Sequence, residues 1–325
     1  MLGFVILSHR NPAQLARLCA TLNRLYDLPP ISVHHDVSQS PLDASTFSGN
    51  VRFVARPAVT SWGRWSLVEA TLLALRLLYD FADPDYFALI SAVDYPVAAP
   101  EQVISELHQR GADALLDHYS LEDALRGVLT VSDPHLHHHR HPHNVRLAAI
   151  RYLWLTAKVP VIRFRPPAFS TTLERYPRLG AHTVSIRLRA PSAPYSERYR
   201  CYVGSQWFTG SRRAANVLLN PNEQDVRLQQ HLRRRLVPDE SYVQTVLCNR
   251  PELNIDGETR RFAHWPDHLD HPAELDETYL PQLTTLKPHF ARKFKEDAPV
   301  LDRLDEVLGI RPSSSWVAEP VREAV

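Results

Sequence analysis

Two short stretches of the sequence combine residue types that could carry chemistry. One is Val237-Pro238-Asp239-Glu240-Ser241-Tyr242, in which a carboxylate follows a proline turn. The other is Phe290-Ala291-Arg292-Lys293-Phe294, in which two adjacent cations lie between aromatic residues. A carboxylate can take a proton from a hydroxyl group, and a fixed pair of cations can hold a phosphate. Together these are the groups that a sugar-nucleotide transferase without a metal would need.

Each stretch also has a simpler explanation. An acidic residue after Pro-Asp often does no more than begin a helix, where its charge suits the helix dipole. Asp239 is accordingly a candidate N-cap for a helix over residues 241–248. Arg292 and Lys293 could equally form a solvated surface pair beside two core phenylalanines. The two stretches therefore gain meaning only from a scaffold that brings them together.

Composition places the chain among ordinary globular proteins. Its 325 residues are 44% hydrophobic and 22% charged, enough for one large core or two smaller ones. The net charge of +1 gives no overall field directed at nucleic acid or at an anionic membrane. Three widely spaced cysteines (Cys19, Cys201 and Cys248) argue against a disulfide framework and favour a reducing compartment. The first apolar run is too short for a signal peptide or an anchor. We expect a cytoplasmic protein without an integral membrane segment, and peripheral membrane association stays open.

Strand and helix patterns alternate in the first part of the chain. Apolar runs predict strands over residues 3–7 and 86–90, and residues 31–35 and 51–54 are interpreted as two further strands. Helical spacing predicts helices over residues 12–25, 66–81 and 101–108. This alternation predicts an α/β fold with a mostly parallel, doubly wound sheet flanked by helices. Ligands of such sheets bind beyond the carboxyl ends of the strands, where His9, His35, Asp36 and Asp94 stand.

The second part of the chain is less regular. Residues 116–200 are rich in Pro, Arg and His and are interpreted as an irregular insertion over the acceptor side. A strand over residues 202–209 and helices over residues 212–219 and 241–248 are expected to follow. We expect one domain over residues 1–312, with a nucleotide-binding half (1–115), the insertion (116–200) and an acceptor and catalytic half (201–312), then a weakly ordered tail (313–325).

Metal ligands are poorly placed in this pattern. Asp83-Pro84-Asp85 precedes a strand and so lies at the wrong edge of the predicted sheet, whereas Asp94 stands alone at the correct edge. A single carboxylate is a poor site for Mg²⁺ or Mn²⁺, so protein cations are expected to balance the diphosphate and no metal is predicted. Six histidines within residues 135–143 lack the spacing of a catalytic zinc motif and are interpreted as an exposed loop, with a role against an anionic ligand left open.

Two aromatic segments could contact a sugar ring. They are Gly204-Ser205-Gln206-Trp207-Phe208 and Trp62-Gly63-Arg64-Trp65. Indole rings often stack on sugars, although a tryptophan buried in a core is the commoner arrangement.

Taken in order, these segments resemble the core-2/I-branching β-1,6-N-acetylglucosaminyltransferase and peptide O-xylosyltransferase family of inverting glycosyltransferases (family 14-like). The similar segments are residues 4–12, 35–36, 61–63, 89–96, 204–208, 238–242 and 290–294, of which the last is nearer to the xylosyltransferases. The resemblance implies a GT-A-type, Rossmann-like fold, a UDP-sugar donor, no metal requirement and inversion at the anomeric carbon. The lack of the disulfides and anchor of animal members fits a bacterial-type cytosolic version.

The resemblance also implies roles for individual residues. Glu240 would be the catalytic base, Arg292 and Lys293 would bind the diphosphate, and His35 and Asp36 would lie near the nucleoside, with His9 beside them. The residues expected to contact substrate are Trp62, Asp94, Gly204, Ser205, Trp207 and Asp239. Ala92 stands where the family usually has glycine, which affects the donor-sugar pocket.

The sequence thus predicts a metal-independent transferase that moves xylose or N-acetylglucosamine from a UDP-sugar to a glycan hydroxyl. A non-catalytic relative that binds a nucleotide or a glycan is the alternative, and a nucleotide-sugar hydrolase or phosphotransferase is a third possibility. Fold alone does not distinguish among these activities, so the choice depends on the geometry and chemistry of the site.

Overall fold

A seven-stranded mixed sheet forms the centre of the protein. The computed structural model describes residues 1–127, 142–164, 179–189, 193–266 and 271–310. The strands in this part of the chain are β1 (Leu2–Ser8), β2 (Ile31–His35), β3 (Val51–Phe53), β4 (Tyr86–Ser91), β5 (Asp94–Pro96), β6 (Ala114–Leu115), β7 (Tyr119–Ser120), β8 (Trp154–Phe164), β9 (Leu179–Arg189), β10 (Tyr202–Val203), β11 (Thr209–Ser211), β12 (Ile255–Asp256), β13 (Arg261–Ala263) and β14 (Phe290–Arg292).

Helices cover both faces of this sheet. They are α1 (Pro12–Leu25), α2 (Ser66–Phe81), α3 (Pro100–Arg110), α4 (Leu121–Leu125), α5 (Pro142–Tyr152), α6 (Arg212–Leu219), α7 (Glu223–Leu232), α8 (Tyr242–Cys248), α9 (Leu280–Leu286) and α10 (Pro299–Val307). Among these described helices, none is both long and apolar enough to cross a bilayer.

The order of strands in the main sheet is β12-β6-β11-β4-β1-β2-β3. β1 pairs in parallel with both β2 and β4, so that Phe4 lies between Ile31 and Ala88. β3 continues the parallel set, whereas β11 runs antiparallel to β4 and β6. The carboxyl ends of β1, β2 and β4 therefore meet at one edge, as the alternating sequence pattern predicts.

Burial on both faces explains why the first strand is an uninterrupted apolar run. Phe4 and Ile6 pack into a core with α1, α3 and α10, whereas Val5 packs into the opposite core with α2, α6 and α8. A strand covered on both faces needs apolar side chains at every position rather than at alternate ones.

Sequence and structure agree where local patterns decide the element. The bounds predicted for β2, α2 and α6 are confirmed to the residue. The strand predicted over residues 202–209 is wrong, because β10 pairs with β7 and β11 joins the main sheet, with a loop over residues 204–208 between them.

The segment over residues 116–200 contains more regular structure than the sequence indicated. It includes α4, α5 and an antiparallel pair of eleven-residue strands, β8 and β9. The tail over residues 313–325 and the histidines from His135 to His141 lie outside the described residues.

A buried polar network fixes the strand that carries Asp94. The Arg17 guanidinium in α1 donates to Asp305 Oδ2 in α10 at 2.8 Å, and the Tyr95 hydroxyl in β5 donates to Asp305 Oδ1 at 2.8 Å. Arg17 also donates to Asp302 at 2.6 Å. The Asp305 side chain is 2% exposed and that of Asp302 is 63% exposed. The two ion pairs of Arg17 should therefore differ greatly in their contribution to stability.

We expect Asp305→Ala to lower the free energy of unfolding by about 3 kcal/mol, because it leaves the buried Arg17 guanidinium with only the exposed Asp302 as an acidic partner and removes an acceptor of the Tyr95 hydroxyl. The matched control Asp302→Ala removes the exposed partner and should cost less than about 1 kcal/mol. Urea unfolding of both variants measures the difference. Equal losses would show that the buried pair does not anchor β5.

Candidate active site

The edge where the parallel strands end gathers several predicted site residues. Asp36 follows β2 and is almost fully buried. Its carboxylate accepts hydrogen bonds from the backbone N–H and the hydroxyl of Ser38, from the Gln39 amide, and from the backbone N–H and hydroxyl of Thr60. Burial acts to raise the pKa of Asp36, but these hydrogen bonds outweigh it and hold the pKa well below its usual range. Asp36 is thus an ionised anchor that fixes the loop around Thr60.

The two histidines predicted at this edge flank Asp36. His35 is buried, with Nδ1 3.0 Å from Ser8 Oγ and Nε2 2.8 Å from the Ser40 carbonyl oxygen. His9 is exposed at the end of β1. Partial burial, together with the positive charge of Arg10, lowers the pKa of His9. The structure therefore brings His9, His35 and Asp36 together, as predicted.

A small three-stranded sheet joins the two distant parts of the site. Its order is β13-β14-β5, and in it Arg292 lies directly opposite Asp94. Arg292 Nε lies 3.2 Å from Asp94 Oδ1, and the guanidinium carbon lies 4.3 Å from the centroid of the Trp207 ring. Burial lowers the pKa of Arg292, and Asp94 acts in the opposite direction. The guanidinium is thus held between an acid and an indole face.

Asp94 is committed to this arrangement by its neighbours. Its carboxylate accepts from the Ser91 hydroxyl at 2.6 Å and from the Ser91 backbone N–H at 3.1 Å. These two contacts fix the orientation of the carboxylate. Asp94 therefore orients Arg292 from the end of β4.

Lys293 is less enclosed than Arg292. Its Nζ lies 3.5 Å from His271 Nδ1, and the peptide bond that joins it to Arg292 is cis. Burial lowers the pKa of Lys293, and the nearby positive charge of Arg292 lowers it further. An anion that binds nearby would offset both effects and stabilise the charged form of Lys293.

Sequence reasoning missed a third cation, Arg261 in β13. Its guanidinium is 7% exposed and donates to the Phe208 carbonyl oxygen at 3.0 Å. Its Nε and its other terminal nitrogen have no hydrogen-bond partner among the described residues. Burial lowers the pKa of Arg261 to about 10, Asp94 opposes the shift and Arg292 adds to it. The only signal in the sequence was an arginine within a short apolar segment. That signal does not indicate a site unless the pairing of β13 with β14 is known.

The loop over residues 204–208 connects these cations to Glu240. The Gly204 backbone N–H donates to the Glu240 carbonyl oxygen at 2.9 Å, and the Ser205 backbone N–H donates to Asp117 Oδ2 at 3.1 Å. A Cβ at Gly204 would lie 2.0 Å from the Asp117 carbonyl oxygen, so the close approach requires glycine. The same loop contains Trp207, whose ring packs against the Arg292 guanidinium. One short loop therefore contacts both predicted halves of the site.

Glu240 lies in a 3₁₀ turn, Pro238–Glu240, that precedes α8. Its side chain is 27% exposed, and its Oε2 lies 3.7 Å from a terminal nitrogen of Arg151 in α5. The same helix holds the turn, because the Tyr152 hydroxyl donates to the Val237 carbonyl oxygen at 2.5 Å. Arg151 was not predicted. Glu240 is thus a partly exposed carboxylate on a turn that α5 holds in place, with the Arg151 guanidinium nearby.

Asp239 points inward rather than toward solvent. It is 9% exposed and lines a narrow cavity with Gln206 and Val243. Its Oδ1 and the Gln206 amide nitrogen have no hydrogen-bond partner within the described part of the chain. The interpretation of Asp239 as an N-cap is wrong, because the residue before α8 is Ser241 and no side chain caps that helix.

The remaining predicted residues occupy contrasting surroundings. Trp62 is 84% exposed on the loop that leads into α2, whereas the Asp-Pro-Asp segment lies at the amino end of β4. There Asp83 and Asp85 form ion pairs with Arg212. Within the described ranges, no group of three or more His, Cys, Asp or Glu side chains is arranged to hold a metal ion.

The mostly parallel sheet, with polar groups gathered beyond its carboxyl edge, defines a GT-A-like glycosyltransferase fold. A sequence profile described as Core-2/I-Branching enzyme matches residues 2–146 and 150–290. Because the match covers most of the chain, the protein belongs to the Core-2/I-Branching enzyme family. The match ends just before Arg292 and Lys293.

Two plant proteins are also similar to the chain. The β-glucuronosyltransferase GlcAT14B of Arabidopsis thaliana is 24% identical over 303 residues, which are 86% of this chain and 59% of that protein. The β-glucuronosyltransferase GlcAT14A of the same plant is 24% identical over 268 residues, or 80% of this chain and 51% of that protein. The chain therefore spans little more than half the length of these relatives.

Asp239 should give stability a distinct dependence on pH. Burial, with the neighbouring charge of Glu240, raises the pKa of Asp239 to about 7, from 3.8. The folded protein therefore holds this proton more tightly than the unfolded chain does. The resulting stabilisation is complete below about pH 4 and is lost as the pH rises through about 7, by up to about 4 kcal/mol.

Asp239→Asn removes this titration. We expect the variant to gain about 2–4 kcal/mol relative to the unchanged protein between about pH 5 and about pH 8. Urea unfolding at the two pH values measures the gain. Parallel stability curves for the two proteins would mean that Asp239 is ionised at neutral pH despite its burial.

Proposed function

We propose that the protein is an inverting, metal-independent glycosyltransferase that moves a sugar from a UDP-sugar to a hydroxyl group of a glycan or related acceptor. The observation that carries this proposal is the loop over residues 204–208. It binds the backbone of Glu240 at one end and supports Arg292 through Trp207 at the other. Group transfer between a hydroxyl and a nucleotide diphosphate requires a base and an anion site held in fixed relative positions, and this loop contacts both candidates.

In the proposed reaction the acceptor oxygen attacks C1 of the donor sugar as Glu240 removes the hydroxyl proton. The bond from C1 to the β-phosphate oxygen breaks on the opposite face, and its electron pair leaves with UDP. The positive charges of Arg292 and Lys293 stabilise the diphosphate as it departs. Asp94 and Trp207 orient Arg292, and Arg151 lies close enough to the Glu240 carboxylate to orient it.

Arg261 extends the anion site in this proposal. Its Nε and one terminal nitrogen have no hydrogen-bond partner among the described residues, and its strand pairs with β14, so a phosphate or a sugar carboxylate that reached this buried guanidinium would supply partners. Charge-assisted hydrogen bonds of this kind contribute about 1.5–3 kcal/mol each. A diphosphate therefore supplies the partners that the buried guanidinium lacks.

His9, His35 and Asp36 are proposed to border the nucleoside. The exposed ring of His9 is the group of the three that can reach a ligand directly, because Asp36 and His35 are occupied by protein contacts. Asp36 and His35 would then act by fixing the shape of the pocket. Ser205 and Gly204 contribute backbone to the sugar side.

The donor sugar is proposed to be xylose or N-acetylglucosamine. The names of the two plant relatives add glucuronic acid to the candidates, and the clustered arginines suit its carboxylate. A cytoplasmic location is proposed on the strength of three free cysteines, of which Cys19 and Cys201 are buried thiols.

Glu240→Gln tests the base. We expect transfer to fall by about 10²–10⁴-fold, since the amide cannot accept the proton, while UDP affinity stays within about twofold. Radiolabelled product formation and calorimetric titration measure the two quantities. Glu252→Gln, an exposed glutamate on the loop before β12, is the matched control and should leave both unchanged. Near-normal transfer by Glu240→Gln would remove Glu240 as the base.

Calorimetric titration with UDP in EDTA tests the anion site. We expect metal-free binding that weakens by about 100-fold or more in Arg292→Ala/Lys293→Ala, since each lost charged contact accounts for about tenfold or more. Lys295→Ala is the control, because its side chain is 68% exposed and pairs with Glu274. Strict dependence on Mn²⁺ would contradict the metal-free scheme.

The same titration with UDP-xylose, UDP-N-acetylglucosamine and UDP-glucuronic acid selects the donor. The sugar that binds most tightly should also be the one that is transferred. UDP binding without transfer of any of the three would favour the non-catalytic relative, and release of free sugar alone would favour a hydrolase.

A further inference from the structure

An exposed apolar and basic surface lies beside the Glu240 turn. It includes Trp62, which the resemblance predicts to contact substrate, but the reaction proposed above gives this surface no role. We call it the Trp62 patch, and it consists of Val59, Trp62, Arg64, Arg234 and Leu236. Trp62 is 84% exposed, Val59 68% and Leu236 52%, which places them among the most exposed large apolar side chains of the described residues. Arg64 and Arg234 are also exposed.

Backbone and ring contacts hold the two segments of the patch together. The Val237 backbone N–H donates to the Gly63 carbonyl oxygen at 2.9 Å, so Leu236 is next to the loop that carries Trp62. Gly63 has φ +67°, and a Cβ there would lie 3.5 Å from Val237 Cγ2. The Arg233 guanidinium lies 4.9 Å from the centroid of the Trp65 ring. These contacts place the two segments of the Trp62 patch side by side.

The charge of this surface differs from that of the whole protein. Residues 55–65 and 230–238 together contain five arginines and no acidic residue, although the chain as a whole has a net charge of only +1. The two acids that follow are Asp239, which is buried, and Glu240, which lies near Arg151. The patch is therefore locally cationic.

The position of the patch relates it to the site. The Thr60 backbone N–H, next to Val59, donates to Asp36 at 2.6 Å, and Leu236 precedes the Pro238–Glu240 turn by two residues. The Trp62 patch thus forms the rim between the end of β2 and the Glu240 turn.

We propose that the Trp62 patch docks the protein on an anionic lipid surface. Tryptophan favours the boundary between lipid head groups and acyl chains, and exposed aliphatic side chains beside it gain from entering that boundary. Arginines around them are attracted to anionic head groups, each by about fivefold in affinity. Docking there would present a membrane-borne acceptor to the Glu240 side of the fold.

Other occupants fit the patch less well. A glycan would need polar partners around the indole ring, whereas Val59 and Leu236 supply apolar surface. A second copy of the chain on a twofold axis would place the arginines of one patch against those of the other. The combination of indole, aliphatic groups and excess positive charge matches a lipid surface better.

Co-sedimentation of the whole chain with vesicles tests this proposal. The vesicles are phosphatidylcholine alone or with about 30% phosphatidylglycerol, at about 50 mM and about 500 mM NaCl. We expect binding to the anionic vesicles that is largely lost at the higher salt. Trp62→Ala/Leu236→Ala should weaken it about tenfold or more, and Arg64→Gln/Arg234→Gln about 25-fold.

The matched control is Leu28→Ala. Leu28 is 59% exposed but lies before β2, at the opposite edge of the sheet, and its replacement should leave binding unchanged. Thermal unfolding of each variant verifies that the fold is retained, and the two double variants test the apolar and the charged parts separately.

Four results would overturn the proposal. They are no binding to anionic vesicles, equal binding to neutral vesicles, binding that survives both double variants, and a dimer that dissociates on Trp62→Ala/Leu236→Ala. A fifth result would also overturn it. If a soluble oligosaccharide, but not vesicles, shielded Trp62 from fluorescence quenching, the patch would be a glycan-binding surface. UDP binding is measured on the same samples, so failure of the lipid proposal is separate from failure of the transferase proposal.

Discussion

The close passage of Gly204 past Asp117 is the constraint on which the site depends. A side chain at residue 204 would collide with the Asp117 backbone, so the chain can pass there only as glycine. At this point the Gly204 backbone N–H donates to the Glu240 carbonyl oxygen, and three residues later the Trp207 ring packs against the Arg292 guanidinium. The last residue of the loop, Phe208, supplies the carbonyl oxygen that holds Arg261. A shift of this loop would therefore move the carboxylate and the cations together, which is how a rigid scaffold keeps separate chemical groups in register.

The sheet supplies the second level of positioning. β1, β2 and β4 end at one edge, and β5 continues directly from that edge to pair with β14. The small sheet formed in this way brings a segment near residue 292 against one near residue 94. Asp305 then fixes β5, because it accepts hydrogen bonds from both Arg17 in α1 and Tyr95 in β5. Groups separated by about 200 residues in sequence thus share one rigid frame.

The sequence predicts elements well where the cause is local. β1 is an apolar run because it is covered on both faces, and α2 and α6 follow helical spacing, so these elements could be derived from a window of residues. The break between β10 and β11 could not be predicted in this way, because the loop between them is held by Asp117, which is far away in the chain. Arg261 and Arg151 could not be predicted as site residues for the same reason. Arg261 is placed there by the pairing of β13 with β14, and Arg151 by its contact with Glu240. The inward orientation of Asp239 is likewise set by Gln206 and Val243 rather than by its own neighbours.

Arg261 and Arg292 have a consequence for the protein as a whole. Each is a cation taken out of water, the charge of Arg292 acts against that of Arg261, and Asp94 balances part of this charge. The fold therefore retains electrostatic repulsion between two buried arginines that the unfolded chain, with its arginines hydrated, does not have. A diphosphate bound between them as proposed would relieve this repulsion and, by binding the folded state alone, would stabilise that state. Under that proposal, the abundance of phosphate-bearing metabolites around the protein would help to set how long it survives heat and proteolysis, independently of any turnover.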